Sequence, residues 1–141
     1  MHAIFRATGY LLLAFSASPT SASDFAISPN VSGGPGNYKW SIGIEGAAAV
    51  GNPTLYIARS SSYTFAVTTT AIHPFWIDDS PGYGGVAPYS GTGLSANGAD
   101  ANTTLTFDVP DNAPEVLYYA CGNHIEMHGT IHVVVFRSGF E

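Results

Sequence analysis

From Thr54 onward, short runs of β-branched and aromatic residues alternate with Gly, Pro, Ser and Asn at short spacing. That pattern admits an all-β fold and little else, because no long segment repeats apolar residues at i, i+3, i+4 and i+7. Strands are expected near Tyr38–Ile44, Thr54–Ala58, Tyr63–Thr69, His73–Ile77, Thr103–Asp108, Val116–Cys121 and Thr130–Phe136, with an N-terminal strand around Phe25–Ile27. Seven to eight such strands make a β-sandwich. Only 10% of the side chains are charged and 45% are hydrophobic, which excludes a disordered chain. The formal net charge of −6 lacks the basic footprint of a nucleic-acid binder.

The first residues follow a different rule. His2 and Arg6 precede the apolar stretch Gly9–Phe15, and small residues end at Ser21-Ala22-Ser23. This is the order of a signal peptide, so residues 1–23 are expected to be a leader and 24–141 a single exported domain, periplasmic or extracellular. The apolar stretch is shorter than the roughly 20 residues needed to span a bilayer, and no membrane anchor is expected. Beyond Ser23 three basic residues (Lys39, Arg59, Arg137) face all ten acidic ones, which favours a partner with a positively charged docking surface. A monomer is expected. The 25 residues of Asp78–Asn102, rich in Gly, Ser, Pro and Tyr, form the longest connection, either a mobile excursion or a cover over a site.

Cys121 is the one cysteine, so an exported chain leaves it without an internal disulfide. It is a buried inert thiol, an intermolecular bridge or a metal-bound thiolate. Its neighbours favour the last. Cys121, His124 and Met127 follow at C-x2-H-x2-M between an incoming and an outgoing strand, so three soft or borderline donors share one short loop. Thiolate, imidazole and thioether together suit copper, and a His2Cys set with a long axial Met describes a blue-copper site. A second His must come from elsewhere. His73 is the candidate: by period-2 alternation it shares a face with Phe75 and Ile77, as Cys121 does with Leu117 and Tyr119.

At these residues the sequence resembles the cupredoxins, the small type 1 blue copper proteins, with a short ligand loop of the amicyanin and plastocyanin type. The resemblance runs from about Asn52 to Val135 and takes in the hairpin Thr54–Val67, the upstream His73, Thr106-Phe107-Asp108-Val109-Pro110 and the closing Met127-x-Gly129-Thr130-Ile131. It implies a Greek-key β-sandwich in which His73, Cys121 and His124 are equatorial copper ligands and Met127 the weak axial one. It further implies a single Cu(I)/Cu(II) ion, a carrier of single electrons rather than an enzyme, and electron exit at the edge of His124. Leu94, Val86, Pro88 and Tyr89 are candidates for an apolar patch there, and Asp78, Asp79, Asp100 and Glu126 for an acidic rim. In many relatives an Asn after the first His ties the two ligand-bearing loops, whereas Pro74 stands there in this chain.

Other readings are weaker. His124-Ile125-Glu126-Met127-His128 places its Glu one position late for the H-E-x-x-H order of zinc hydrolases, and the flanking glycines leave no room for their helix. One cysteine excludes a two-cysteine dinuclear copper centre, and the four histidines beyond the leader are too few for a multicopper oxidase. His128 is expected at the surface and His132 on a sheet face. A copper module for delivery, storage or sensing, or a metal-free structural domain, would use the same scaffold.

Overall fold

The computed structural model describes residues 24–135. The expected leader 1–23, Phe136 and the tail beyond it lie outside the described residues. Ten strands are present and, among the described residues, no helix. They are β1 (Phe25–Asn30), β2 (Lys39–Ile44), β3 (Val50–Gly51), β4 (Leu55–Ala58), β5 (Ser62–Val67), β6 (Phe75–Asp78), β7 (Leu94–Ser95), β8 (Thr103–Asp108), β9 (Val116–Cys121) and β10 (His128–Val134). The eight expected strands are all there, β8 and β9 with the expected limits. The two additions, β3 and β7, are two-residue edges.

Six strands form one sheet in the order β3-β2-β1-β5-β8-β7, and four form the other in the order β4-β10-β9-β6. Two pairings are parallel, β1 with β5 and β4 with β10, and the rest antiparallel. Alternation decides which side chains go inward. In β5, Tyr63, Phe65 and Val67 are buried while Ser62, Thr64 and Ala66 are not; in β8, Leu105 and Phe107 are buried between exposed Thr104, Thr106 and Asp108. Inward residues of both sheets, Trp40, Phe65, Phe75, Phe107, Leu117 and Tyr119 among them, make one core. Each fully buried aromatic or aliphatic side chain stabilises the fold by about 1.5–3 kcal/mol.

The long connection is ordered by β6. As the outer strand of the four-stranded sheet, β6 offers an unpaired edge, and the loop covers it. Phe75 N–H donates to the Ala99 carbonyl at 2.8 Å, and Tyr89 N–H to the Ile77 carbonyl at 3.0 Å. The Asn97 side chain acts like one more strand residue: its Oδ1 accepts from Ile77 N–H and its Nδ2 donates to the Ile77 carbonyl, both at 2.8 Å. Gly84, Gly85 and Gly98 lie against the Trp76 indole, and a Cβ on Gly98 would come within 2.5 Å of the ring. Glycine is required there because only a bare backbone fits.

Three expectations for this loop are corrected. Tyr89 is no surface residue: it packs edge-on against Phe107 at 5.1 Å and its hydroxyl donates to the Thr92 carbonyl. Leu94 pairs within β7 opposite Phe107 and packs half-buried against the core. Asp78 likewise leaves the expected acidic rim, being 1% exposed beneath the loop with Oδ1 accepting from Gly85 N–H.

Candidate metal centre

Cys121 ends β9, and its strand neighbour in β6 is Phe75, so the turn before Phe75 lies beside the Cys121 strand end. His73 occupies that turn rather than the expected strand. Its N–H donates to the Thr70 carbonyl at 2.9 Å, and the Thr69 hydroxyl donates to the His73 carbonyl at 2.5 Å. His73, in the turn leading into β6, and Cys121, at the end of β9, therefore meet at one end of a single sheet.

The loop from Gly122 to Met127 is closed at its base by Cys121 N–H donating to the Met127 carbonyl at 2.9 Å. Inside it, Met127 N–H donates to the His124 carbonyl at 3.1 Å. This tight return brings His124 back over the cysteine. Cys121 Sγ lies 3.9 Å from His73 Nδ1 and 3.7 Å from His124 Nδ1. The three donor atoms lie within 4.8 Å of one another, and the two imidazole centroids are 4.5 Å apart. Cys121 and Met127 are fully buried, His73 nearly so, and His124 is half-buried.

The separations suit a metal. An ion about 2.3 Å from sulfur and about 2.0 Å from nitrogen, with about 120° between the bonds, needs a sulfur-to-nitrogen distance of about 3.7 Å. Protonation states suit it as well. Burial pushes the Cys121 thiol above its ordinary value, an effect partly offset by the Asn123 and His124 N–H groups, so the metal-free thiol holds its proton until an ion displaces it. Burial, and next the charge of His124, hold His73 below the usual imidazole value and leave its ring neutral. One soft sulfur, two imidazoles and a buried thioether, three of the four carried by one loop, form a donor set fit for copper. The cluster resembles a type 1 copper site, and with the two-sheet all-β fold it agrees with the cupredoxin resemblance of the sequence.

The departure at Pro74 is compensated from the opposite side. Gly122 N–H donates to the Pro74 carbonyl at 3.1 Å, and Asn123 Nδ2 donates to the Ile72 carbonyl at 2.9 Å. The amide that ties the two ligand turns thus sits on the loop after the cysteine. Gly84, from the long connection, adds a third hold by donating its N–H to the Cys121 carbonyl at 2.9 Å.

His128 and His132 stay outside the cluster. His128 is exposed at the start of β10, and His132 stacks on Tyr56 at 5.2 Å on the outer sheet face. Residues up to and including Asn52, which sequence reasoning left unassigned to the site, do reach it. Tyr38 stands edge-on to both His73 and His124, Gly36 N–H donates to Glu126 Oε1, and Asn52 Nδ2 donates to the Glu126 carbonyl. The Asn52-Pro53 pair was the available signal, since such dipeptides mark turns whose side chains bond to backbone.

No protein-family model matches the chain, and no curated protein matches it. Among solved structures, a crystal structure of a rusticyanin mutant is similar, with a TM-score of 0.45 and 24% sequence identity over 78% of this chain and 76% of that one.

Proposed function

We propose that this chain is an exported mononuclear blue copper protein that carries single electrons between redox partners. The observation that carries the reading is the buried Cys121 sulfur facing the Nδ1 atoms of His73 and His124 at 3.9 and 3.7 Å, with Met127 closing the same loop. His73, Cys121 and His124 would hold the ion equatorially and Met127 would be the weak axial donor. Copper held there supplies a Cu(I)/Cu(II) couple.

The chain's own residues supply rigidity and an exit. Every donor-bearing turn is tied on at least one side: His73 to Thr70 and Thr69, Cys121 to Met127 and Gly84, and the Gly122-Asn123 segment to Pro74 and Ile72. Donors fixed in this way move little when the charge between them changes. Burial of Cys121 and Met127 excludes water, while half-buried His124 offers an edge to a partner. Ile72 and Ile125, 64% and 49% exposed, adjoin His73 and His124 in the chain, and exposed Val86 lies two residues from Gly84, which bonds to Cys121. This apolar fringe, with the net negative charge, fits a transient partner that is basic around an apolar centre.

The test is a visible absorption titration with Cu(II), beside Cys121→Ser. An intense red-end band lost in Cys121→Ser, with a reversible potential and fast self-exchange, supports the carrier reading. A colourless protein that binds neither Cu(II) nor Cu(I) overturns it. Tight Cu(I) binding with sluggish cycling and ready transfer to an acceptor replaces it with copper delivery.

A further inference from the structure

We propose that Tyr38 is a positioning residue of the metal centre, fixing the orientation of both ligand imidazoles; this rests on the copper reading above. An imidazole turns about a broad, roughly two-fold torsion, so something must decide which ring nitrogen faces the sulfur. In most metal sites a hydrogen bond to the other nitrogen does so. Here both rings present Nδ1 to Cys121, and among the described residues neither Nε2 has a hydrogen-bond partner. What the rings have instead is Tyr38. Its centroid lies 5.7 Å from that of His73 at 80° and 5.1 Å from that of His124 at 63°, both edge-type contacts. With the imidazoles 4.5 Å apart, each of the three rings contacts the other two.

Tyr38 is delivered by bonds on both sides of it. Two residues before it, Gly36 N–H donates to Glu126 Oε1 at 3.1 Å. Two residues after it, Trp40 N–H donates to Asn52 Oδ1 at 2.8 Å, and the same side chain donates through Nδ2 to the Glu126 carbonyl at 2.9 Å. Glu126 lies between His124 and Met127, so the segment that carries Tyr38 is clasped to the ligand loop itself. A ring that only filled a gap would not need registration at both flanks to the residue between two ligands.

The experiment compares wild type with Tyr38→Ala and Tyr38→Phe. In the metal-free protein, ¹H–¹³C spectra of the histidine rings report orientation. We expect one sharp environment for each of His73 and His124 in wild type and Tyr38→Phe, and averaged, shifted resonances for both in Tyr38→Ala. Copper affinity is expected to fall by about 10- to 100-fold in Tyr38→Ala, as when other supports of a ligand are removed, and to stay near wild type in Tyr38→Phe. Tyr38→Leu, which keeps bulk without a flat ring, replaces Tyr38→Ala should that variant not fold. Unmoved histidine resonances in the ringless variant overturn the proposal, as does Tyr38→Phe behaving like Tyr38→Ala. A wild type that takes up no copper, with histidine resonances that still depend on the Tyr38 ring, refutes the copper reading and leaves the positioning role standing.

Discussion

Asn52→Ala separates two costs that the structure assigns to one residue. Asn52 holds a positive φ of 46°, which asparagine tolerates and alanine does not, at about 1–2 kcal/mol. Its Oδ1 also accepts the N–H of Trp40, a residue with 0% exposure, so truncation leaves a buried donor unpaired at about 1–3 kcal/mol. Together Asn52→Ala should lower stability by about 2–5 kcal/mol. Asn52→Gly removes the backbone cost but leaves the orphaned donor, and should be milder by about 1–2 kcal/mol. Asn52→Asp keeps the acceptor for Trp40 but sets a carboxylate oxygen in place of the donor to the Glu126 carbonyl, and should cost at least about 1 kcal/mol. Urea unfolding of the metal-free protein, followed by tryptophan fluorescence, measures all three, with an unchanged slope confirming that the unfolded state is the same. Equal losses for Ala and Gly would refute the backbone argument. An Asn52→Ala protein within about 0.5 kcal/mol of wild type would refute both.

Three further perturbations read other parts of the frame. Asn123→Ala cuts the side-chain tie to Ile72 and should cost at most about 1 kcal/mol in the metal-free protein, while copper dissociation accelerates by about tenfold. An unchanged dissociation rate would show that the Gly122 bond to Pro74 suffices. Gly98→Ala places a methyl 2.5 Å from Trp76 at a φ of +79° and should cost about 2–5 kcal/mol in urea; a loss below about 1 kcal/mol would show that the loop stands off the indole. Burial, with a smaller contribution from the charge of Asp79, pushes the Asp78 carboxyl up, against the opposing Gly85 bond. The folded state then binds that proton more tightly, so its stabilisation is present below the ordinary carboxylate range and is lost as pH rises through the folded value. The stability of Asp78→Asn relative to wild type should therefore grow from acid to neutral pH, and a difference constant with pH would refute the assignment.

What the sequence makes legible follows from how local each signal is. β8 and β9 are read to the residue because alternation runs unbroken from Thr103 to Asp108 and a dense apolar run from Val116 to Cys121 meets Gly122. Three candidate donors are legible because one loop carries them; His73 is legible from its place just before Phe75 and Ile77, although it lies in the turn into β6 and not on the expected strand. β3 and β7 have no pattern of their own; they are strands only because β2 and β8 offer partners. Asp78 and Tyr89 were expected at the surface because a Gly-rich loop carries no period that shows which face is inward. Only the cover over β6 decides that, by placing Asp78 under Gly85 and Tyr89 on Phe107.

The same reasoning explains why the ligand loop leans on distant segments. Six residues from Gly122 to Met127 are too few to order themselves: the described backbone bonds that close the loop are Cys121 to Met127 and Met127 to His124. Each fixed residue costs about 1–2 kcal/mol of backbone entropy, so two bonds do not hold such a loop in one shape. The remaining order comes from outside, through Gly84, through Ile72 and Pro74, and through Gly36 and Asn52 at Glu126. Of these segments only the turn from Ile72 to Pro74 carries a candidate donor, His73, and every one of these bonds is made by atoms other than the candidate donor atoms. The candidate donors are therefore arranged without an ion, so copper uptake at the proposed site should sharpen the structure little. The stability it adds should then follow mass action on native-state affinity, with no further term for ordering the loop.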